Sequence, residues 1–190
     1  GVKGSHELAA IQNALREAGR PFEILDTTEI AKRFPAFKLR PDQVAIYQQD
    51  AGVLAATRCV NAMLRTAAQY GATLQSHEAV EQLVMCAGPW LGRVLKDLNL
   101  PLQVEQQQVL YVTVKNGQLH TPNAMPLFIN HDLSQNVYGF PLFDHPTAIK
   151  ISDHSNAPKI TLEERSFEVM QPWATNSIKR AQTFLPNIVG

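Results

Sequence analysis

The chain has 190 residues, which is enough for one domain with a hydrophobic core or for two small lobes. Its 17 basic and 17 acidic residues cancel, so the chain has no basic field that would attract nucleic acid. No apolar run approaches the ~20 residues that a transmembrane helix needs, and the N-terminus lacks the apolar core of a secretory signal. Two cysteines, Cys59 and Cys86, are predicted to be buried thiols. These features favour a cytoplasmic globular protein that binds neither nucleic acid nor membranes.

The first part of the chain is predicted to be mainly helical. Ser5 can cap a helix that Gly19 ends, and Asp26 with Glu29 forms the pattern of a capping box. The elements predicted in chain order are a helix over 5–19, a strand over 21–25, a helix over 26–34, an irregular stretch over 36–52 and an amphipathic helix over 55–70. The apolar face of the last helix consists of Val60, Met63, Leu64 and Ala67.

Two strand-like runs, ATLQSHEAV and LVMCA, follow that helix. The two residues between them, at 81–82, include no glycine, proline or asparagine that could form a turn. This predicts either one long bent strand or a missing connection. GPW at 88–90 then turns into a short helix.

The remainder of the chain is predicted to be rich in strands. Asn116-Gly117, the favoured dipeptide of a two-residue hairpin, follows the first of them. Thr161 with Glu164 forms a second capping-box pattern, for a helix through Met170. Strands are expected over 104–114, 126–130, 136–142 and 147–154, and the last helix over 175–185. The fold class is therefore α+β, a largely antiparallel mixed sheet with flanking helices.

The segment TAIKISDH places a lysine between two isoleucines of one predicted strand. Side chains alternate along a strand, so Ile149 and Ile151 point to one face. Lys150, Ser152 and His154 point to the other face. A lysine is rarely fully buried without a partner. This second face is therefore either exposed to solvent or the lining of a cavity in which an amine and an imidazole act on a ligand.

The same region is rich in aromatic and histidine side chains. Tyr138 and Phe140 share a strand face, and with Phe143 they form either part of the core or an aromatic wall for a small ligand. Three neighbouring His–Asp pairs raise the question of a metal site, but adjacent strand residues face opposite ways and no metal-binding spacing occurs. The pairs are His131-Asp132, Asp144-His145 and Asp153-His154. No metal site is predicted.

The sequence also lacks the glycine-rich turns that bind phosphates. Its ten glycines are scattered, and neither G-x-G-x-x-G nor G-x-x-x-x-G-K occurs. A dinucleotide-binding turn is therefore not expected within these residues.

Four stretches resemble the family of monomeric sarcosine oxidase and N-methyltryptophan oxidase, which belongs to the wider D-amino acid oxidase group. They are EILDTTEIAKRFPAF, QQDAGVLAATRCVNAMLRTAAQYGATL, LVMCAGPWLGRVL with an A-G-x-W turn, and YGFPLFDHPTAIKISDH with the pattern Y-G-F-P…K-[LI]-x-x-H. The last is the most specific, and the resemblance runs over nearly the whole chain. It implies the substrate-binding domain of a D-amino acid oxidase-like fold plus part of a flavin domain, with FAD as the cofactor of the full-length enzyme.

The resemblance also implies roles for individual residues. Lys150 matches the lysine that lies over the flavin and activates O2, a role that suits a fixed cation beside developing superoxide. The residues that match the lining of the amino-acid substrate site are Tyr138, His154, Ile129 and Phe140. The residues that match the turn near the cofactor are Gly88 and Trp90.

Departures from the family predict a fragment. Family members have a glycine-rich nucleotide turn and a substrate-binding arginine before the position that Gly1 matches, and usually further strands at Gln82–Leu83. Neither cysteine matches the position of covalent flavin attachment. The expected division is 1–50 as the N-terminal part of the substrate domain, 51–92 as a remnant of the flavin-domain helix and strands, and 93–190 as the substrate-binding sheet and helices.

The sequence thus predicts a piece of an FAD-dependent oxidase of N-methyl or secondary amino acids, which converts a C–N bond to an imine and O2 to H2O2. The chain alone is expected to be inactive and to bind no FAD, because it depends on missing flavin-domain segments of a parent protein. The alternative is a stand-alone ligand-binding or interaction module. That alternative predicts a closed domain, whereas a fragment predicts an exposed apolar patch on the order of several hundred Å2.

Overall fold

The computed structural model describes residues 1–73, 86–132, 136–153 and 157–189. The helices are α1 (His6–Glu17), α2 (Thr27–Arg33), α3 (Ala56–Gln69), α4 (Leu91–Val94) and α5 (Gln171–Gln182), with 3-10 turns at Gly88–Trp90, Lys96–Leu98 and Gly117–His120. The strands are β1 (Glu23–Leu25), β2 (Ala45–Tyr47), β3 (Val104–Glu105), β4 (Leu110–Thr113), β5 (Phe128–Ile129), β6 (Val137–Phe140), β7 (Ala148–Asp153) and β8 (Lys159–Ile160). Helices flank antiparallel sheets, so the predicted α+β class is confirmed.

The largest sheet within the described residues holds the hydrophobic core. Its strands lie in the order β4-β7-β6-β5, and each neighbouring pair is antiparallel. Helix α5 packs against β6 and β7 and covers one face of the sheet. Ile149 and Ile151 belong to this core and are fully buried, which contributes about 1.5–3 kcal/mol for each side chain. The predicted alternation of β7 is therefore correct on its apolar side.

Gly139, in the middle of β6, cannot carry a side chain. A Cβ at this position would lie 2.6 Å from the carbonyl oxygen of Lys150 and 2.7 Å from the ring of Phe128. Because the position is bare, Phe128 can lie over β6 and pack against Phe184, with the ring centroids 5.5 Å apart. Gly139 thus allows the edge strand to contribute to the core.

Local sequence signals start the first two helices as predicted. Ser5 accepts a hydrogen bond from the backbone N–H of Leu8 at 3.4 Å. The Asp26 carboxylate accepts from the N–H groups of Thr28 and Glu29, both at 2.8 Å, and Glu29 accepts from the N–H of Asp26 at 2.9 Å. A cap of this kind contributes about 0.5–2 kcal/mol to stability.

A strand lies within the stretch that was predicted to be irregular. Strand β2 pairs antiparallel with β1, and Ile46 lies opposite Ile24. This pairing joins segments about twenty residues apart, with a helix between them. The residues of 36–52 have no local strand pattern that would predict β2, because this strand forms by pairing with β1.

The hairpin predicted at Asn116-Gly117 does not form. Asn116 does have the left-handed backbone, with a φ of +54°, that the dipeptide favours. However, β4 pairs with β7, and a 3-10 turn follows Asn116. The left-handed conformation of Asn116 agrees with the prediction, but Gly117 begins the 3-10 turn and does not complete a two-residue hairpin turn, and the predicted strand pairing is wrong.

The helix predicted over 161–170 is also absent, although its capping contacts are present. The Glu164 carboxylate accepts hydrogen bonds from the backbone N–H of Thr161 at 2.7 Å and from its hydroxyl at 3.1 Å. These bonds hold the pKa of Glu164 below its ordinary value. The residues that follow are not helical.

Two glutamine side chains form hydrogen bonds with backbone groups of 166–170 that would otherwise be available for bonds within a helix. The Gln106 amide donates to the carbonyl of Ser166 at 2.6 Å, and the Gln108 amide donates to the carbonyl of Glu168 at 2.7 Å. The N–H of Met170 donates back to Gln108 at 3.0 Å. These contacts, called the glutamine clasp below, also interrupt the strand predicted over 104–114, because β3 ends before Gln106 and β4 begins after Gln108.

Buried carboxylates tie other segments to the main sheet. Nη2 of Arg40 lies 2.6 Å from Oδ2 of Asp132, and the Gln43 amide donates to the same oxygen at 3.2 Å. Arg180 of α5 pairs with Asp153 at the end of β7. Both carboxylates are buried, so removal of either arginine would weaken the pairing of a buried charge and lower stability.

The segment from Val44 to Val109 is much more exposed to solvent than the main sheet. None of its described residues is buried, and α3 exposes the whole of its apolar face. Val60, Met63 and Leu64 are 53%, 67% and 50% exposed. Among the described residues, no helix is long and apolar enough to cross a membrane.

Candidate functional site

The register of the main sheet gathers most of the predicted site residues on one face. Tyr111 and Phe140 both lie directly opposite Lys150, one on each neighbouring strand. Tyr138 lies opposite Ile129 on the edge strand. Cross-strand partners share a face of a sheet, and residues two apart in a strand do the same. This set is called the Lys150 face below, and it lies on the side of the sheet opposite the core.

The Lys150 side chain is partly buried against aromatic rings. Its Nζ lies 5.2 Å from the centre of the Phe140 ring, a cation–π contact worth about 0.5–1 kcal/mol at exposed sites. Within the part of the chain that the structure describes, no carboxylate forms an ion pair with this amine. A cation without a carboxylate partner remains available to stabilise negative charge on a ligand.

Aromatic and aliphatic side chains extend the Lys150 face on both sides. The rings of Tyr138 and Phe140 lie 6.2 Å apart, and Ile129 is 51% exposed. Tyr111 is 49% exposed, and its ring lies 6.0 Å from that of His145. This partly open aromatic surface is suited to a planar or apolar ligand.

Tyr111 was not recognised from the sequence. It lies in the run VLYVTV, where alternation alone places it on one of two faces. Only the pairing of β4 with β7 puts it opposite Lys150. That pairing joins segments about forty residues apart, which a local pattern cannot predict.

The remaining predicted residues are not joined to this face by the described structure. His154 lies outside the described residues. Gly88 and Trp90 form a turn outside the main sheet, where Gly88 has a φ of +51° and no described residue lies within 4 Å of the place where a side chain would begin. Trp90 is 45% exposed, and the guanidinium of Arg165 lies 6.0 Å from its ring centre. The strand junction at 81–82 also lies outside the described residues.

Two further predictions concern cysteines and metals. Cys59 is partly exposed and Cys86 is exposed, so the prediction that both are buried is wrong. The reason is that both belong to the Val44–Val109 segment, which has no buried described residue. Among the described residues, no cluster of histidine, cysteine or carboxylate side chains is arranged to hold a metal ion.

An open cavity of about 660 Å3 lies beside the edge strand β5. Its walls come from α1, α2, the residues around β2 and the residues around β5. Ile129 belongs to both the cavity wall and the Lys150 face. Of the described residues of the Lys150 face, Ile129 alone lines this cavity, whose walls also include the core-side residues Phe128 and Phe184.

The chain is similar to known proteins over nearly its whole length. The family model for FAD-dependent oxidoreductases, DAO, matches residues 2–189. Monomeric sarcosine oxidase of Streptomyces avermitilis is 30% identical over 169 residues, which cover 75% of this chain and 44% of that protein. Peroxisomal sarcosine oxidase of Mus musculus is 29% identical over 189 residues, which cover 87% and 48%. N-methyl-L-tryptophan oxidase of Yersinia pestis is 21% identical over 213 residues, which cover 99% and 56%.

A solved structure shares the fold. The open form of NikD, an amino acid oxidase essential for nikkomycin biosynthesis, superposes with a TM-score of 0.72 at 17% identity, over 95% of this chain and 53% of that one. The chain thus spans about half the length of the proteins that it matches.

Proposed function

Because the chain belongs to the family of FAD-dependent oxidoreductases, we propose that it is the substrate-binding part of an oxidase of N-methyl or other secondary amino acids. The observation that supports this most is the Lys150 face, where a partly buried amine lies against the Phe140 ring, beside Tyr138. The same three residues match the lysine, aromatic and tyrosine of the sarcosine oxidase pattern. Neither the motif nor the geometry requires the other, so their agreement strengthens the proposal.

The residues of this face fit a flavin, which is planar, aromatic and carries negative charge when reduced. Lys150 offers a cation, and the neighbouring aromatic rings leave apolar surface uncovered. The open space over Gly88 leaves room for a cofactor to approach that turn closely, and Trp90 presents an exposed ring beside it. Bound here, FAD would supply the redox chemistry of the reaction, in which the C–N unit of the substrate loses a hydride and a proton to become an imine and O2 takes up two electrons and two protons to become H2O2.

Lys150 has the electrostatic role in this proposal. Its amine stabilises the negative charge that develops on O2 as it is reduced, and a fixed cation does so without reorganisation of solvent. Contact with Phe140 holds the side chain over the sheet and keeps part of it away from water. The lower effective dielectric of such a surface strengthens the attraction between the amine and a developing anion.

The other residues of the face bind the amino acid. Tyr138 and Phe140 provide ring surface for the substrate, and Ile129 adds an aliphatic contact opposite Tyr138. His154 contributes a hydrogen bond or a positive charge to the substrate carboxylate, as the sarcosine oxidase pattern implies.

The chain does not complete the enzyme in this proposal. Residues 51–92 include α3, whose apolar face is exposed and is available for packing against the missing flavin-domain segments. The 190-residue chain is accordingly expected to be colourless and inactive. A purified chain that is yellow and produces H2O2 from sarcosine would contradict this part of the proposal.

Replacing Lys150 by methionine in the FAD-loaded full-length protein tests the central role. We expect reoxidation of the reduced flavin by O2 to slow by about 100-fold or more, the usual cost of losing one charge-stabilising group. Reduction by substrate should change by less than about threefold, because the amine acts only in the oxidative half-reaction. Stopped-flow absorbance measures the two steps separately.

Lys159→Met is the matched control, since Lys159 is an exposed residue of β8. Its two half-reactions should remain as in the unmodified protein. Equal slowing of both half-reactions in Lys150→Met would reject the assigned role.

A further inference from the structure

A second cleft, of about 540 Å3, lies between the Gly88–Trp90 turn, the residues around β3 and the segment that follows β8. Its volume falls within the range of roughly 300–1,000 Å3 that is usual for small-molecule sites. None of the described residues of the Lys150 face lines it, and it shares no described residue with the cavity beside β5. This cleft, called the Arg165 cleft below, is therefore separate from the surface that the proposed function assigns to the amino acid.

The glutamine clasp holds one wall of the Arg165 cleft in place. The Gln106 amide donates to the carbonyl of Ser166 at 2.6 Å, and its oxygen accepts from the N–H of Ser166 at 3.3 Å. Gln108 likewise donates to the carbonyl of Glu168 and accepts from the N–H of Met170. Each glutamine thus binds two backbone groups of the facing segment, as a paired strand would. A ligand would meet a wall that is already formed, which lowers the entropic cost of binding.

Arg165 presents a cation at this cleft. Its guanidinium carbon lies 4.4 Å from the centre of the Phe167 ring and 6.0 Å from the centre of the Trp90 ring. Within the part of the chain that the structure describes, no carboxylate pairs with Arg165. A guanidinium that stacks on a ring keeps the N–H groups along its edge available, and these can bind a carboxylate through two parallel hydrogen bonds. Arg165 is therefore arranged as an anchor for an anion.

Uncovered apolar surface lies beside this cation. Trp90 is 45% exposed, Phe167 is 85% exposed, and Val169 extends the same lining. Flat ring surfaces of this kind favour an aromatic ligand, because two rings pack well by offset stacking or edge to face. The cleft thus combines an anion anchor with surface for a flat apolar group.

The charges of the lining limit how much negative charge the ligand can carry. Arg165 and Glu105 are the charged residues of the lining among the described residues, and they cancel. Lys159 lies opposite Glu105 across β3 and β8 but does not line the cleft. A dianion, such as the diphosphate of a nucleotide, would be repelled by Glu105 without a second cation to offset the repulsion. One carboxylate needs only the paired N–H groups of Arg165.

We infer that the Arg165 cleft binds a small aromatic compound with a single carboxylate, whose ring packs against Trp90 and Phe167 and whose carboxylate accepts hydrogen bonds from Arg165. The site adjoins the proposed cofactor turn through Trp90, but it is additional to the amino-acid site. The inference does not depend on the proposed function, because the Arg165 cleft and the Lys150 face have no described residue in common.

Binding of 2-naphthoate to the 190-residue chain tests the inference. The chain has two tryptophans, Trp90 and Trp173, so its NMR spectrum contains two indole N–H signals, which Trp90→Phe assigns. We expect 2-naphthoate to shift the signal of Trp90 and to leave that of Trp173, which packs against the core, unchanged. The uncharged 2-naphthamide has the same rings and should bind about tenfold more weakly, because it lacks the charge-assisted hydrogen bonds.

Arg165→Gln should lower the affinity for 2-naphthoate by about tenfold and change that for 2-naphthamide by less than about twofold. Arg20→Gln is the matched control, because Arg20 is an exposed arginine that does not line the cleft. It should leave both affinities as they are. Lys150→Met should also leave the shift of the Trp90 signal unchanged, which separates this site from the Lys150 face. An unshifted Trp173 signal in each variant shows that the fold is retained.

Equal affinities of the unmodified chain for the two compounds would overturn the inference, because the ring surface would then bind apolar molecules without help from the arginine. This comparison needs no variant. An affinity for 2-naphthoate that Arg165→Gln does not alter, shifts confined to Trp173, or no binding at all would also overturn it. None of these outcomes bears on the oxidation of amino acids, so they leave the proposed function as it stands.

Discussion

The main sheet and the Val44–Val109 segment use similar apolar residues but bury them very differently. Ile149 and Ile151 are fully buried between the sheet and α5. Val60 and Met63 lie on a helix with an equally clear apolar face, yet more than half of each residue is exposed. An amphipathic pattern forms a helix locally, but burial requires a partner surface. Within the described residues α3 has none, which supports the proposal that this face packs against further segments of a larger protein.

The largest expected difference between the two regions is in stability. Ile151→Ala should lower the free energy of unfolding of the chain by about 2–5 kcal/mol, because it leaves a cavity in a packed core. Met63→Ala should change it by less than about 0.5 kcal/mol, because no contact of that kind is lost. Urea unfolding followed by circular dichroism measures both values. A cost for Met63→Ala close to that for Ile151→Ala would show that α3 is packed after all.

A charge on the apolar face of α3 should affect the binding of apolar molecules to this face more than it affects the stability of the fold. Leu64→Glu is expected to lower the fluorescence of a bound apolar dye by about twofold, because it divides the exposed apolar patch. Ala62→Glu is the control, since Ala62 is also exposed but lies on the opposite side of the helix. Equal dye binding by the two variants would mean that the α3 face is not the apolar patch. Under the proposed function, in which this face packs against flavin-domain segments, Leu64→Glu should also weaken flavin retention by the larger protein.

The smallest expected effect concerns the pH dependence of stability. Burial lowers the pKa of His120 below its ordinary value of 6.5, and the nearby carbonyl of Asn116 only partly opposes this. The unfolded chain therefore takes up a proton at a higher pH than the folded chain does, so this contribution to stability is present above about pH 6.5 and is lost as the pH falls. His120→Leu should make the loss of stability between about pH 7.5 and about pH 5.5 smaller than in the unmodified chain.

His6→Gln is the control for this measurement, because His6 is an exposed residue of α1. It should leave the pH dependence as it is. An unchanged slope in His120→Leu would mean that other groups determine the acid sensitivity of the core.

The two capping-box patterns show what the sequence could predict about the fold. The pattern at Asp26 and Glu29 predicts a helix correctly, and the helix Thr27–Arg33 follows it. The pattern at Thr161 and Glu164 makes the same local contacts, but no helix follows. There the glutamine clasp, about sixty residues away in the sequence, binds the backbone instead. The sequence predicts the local capping contacts in both cases, but it does not predict the distant glutamines that prevent the second helix.

The same distinction applies to the candidate site. Alternation along β7 predicts that Lys150 points away from the core residues Ile149 and Ile151, and the structure agrees. The resemblance to sarcosine oxidases supplies Tyr138 and Phe140. Neither source could place Tyr111 beside Lys150 or open a cavity at Ile129, because both facts depend on how separate strands and helices come together. The roles of all these residues remain predictions that the substitutions above can test.

Gly139 has a consequence for how such a site can be altered by mutation. Because a methyl group at this position would collide with the backbone of β7 and the ring of Phe128, any side chain introduced there would disturb the sheet. Tyr138 and Phe140, on either side, point to the other face of the sheet, where side chains are accommodated. A library for directed evolution of this face is therefore best built with Gly139 kept and the two flanking positions varied.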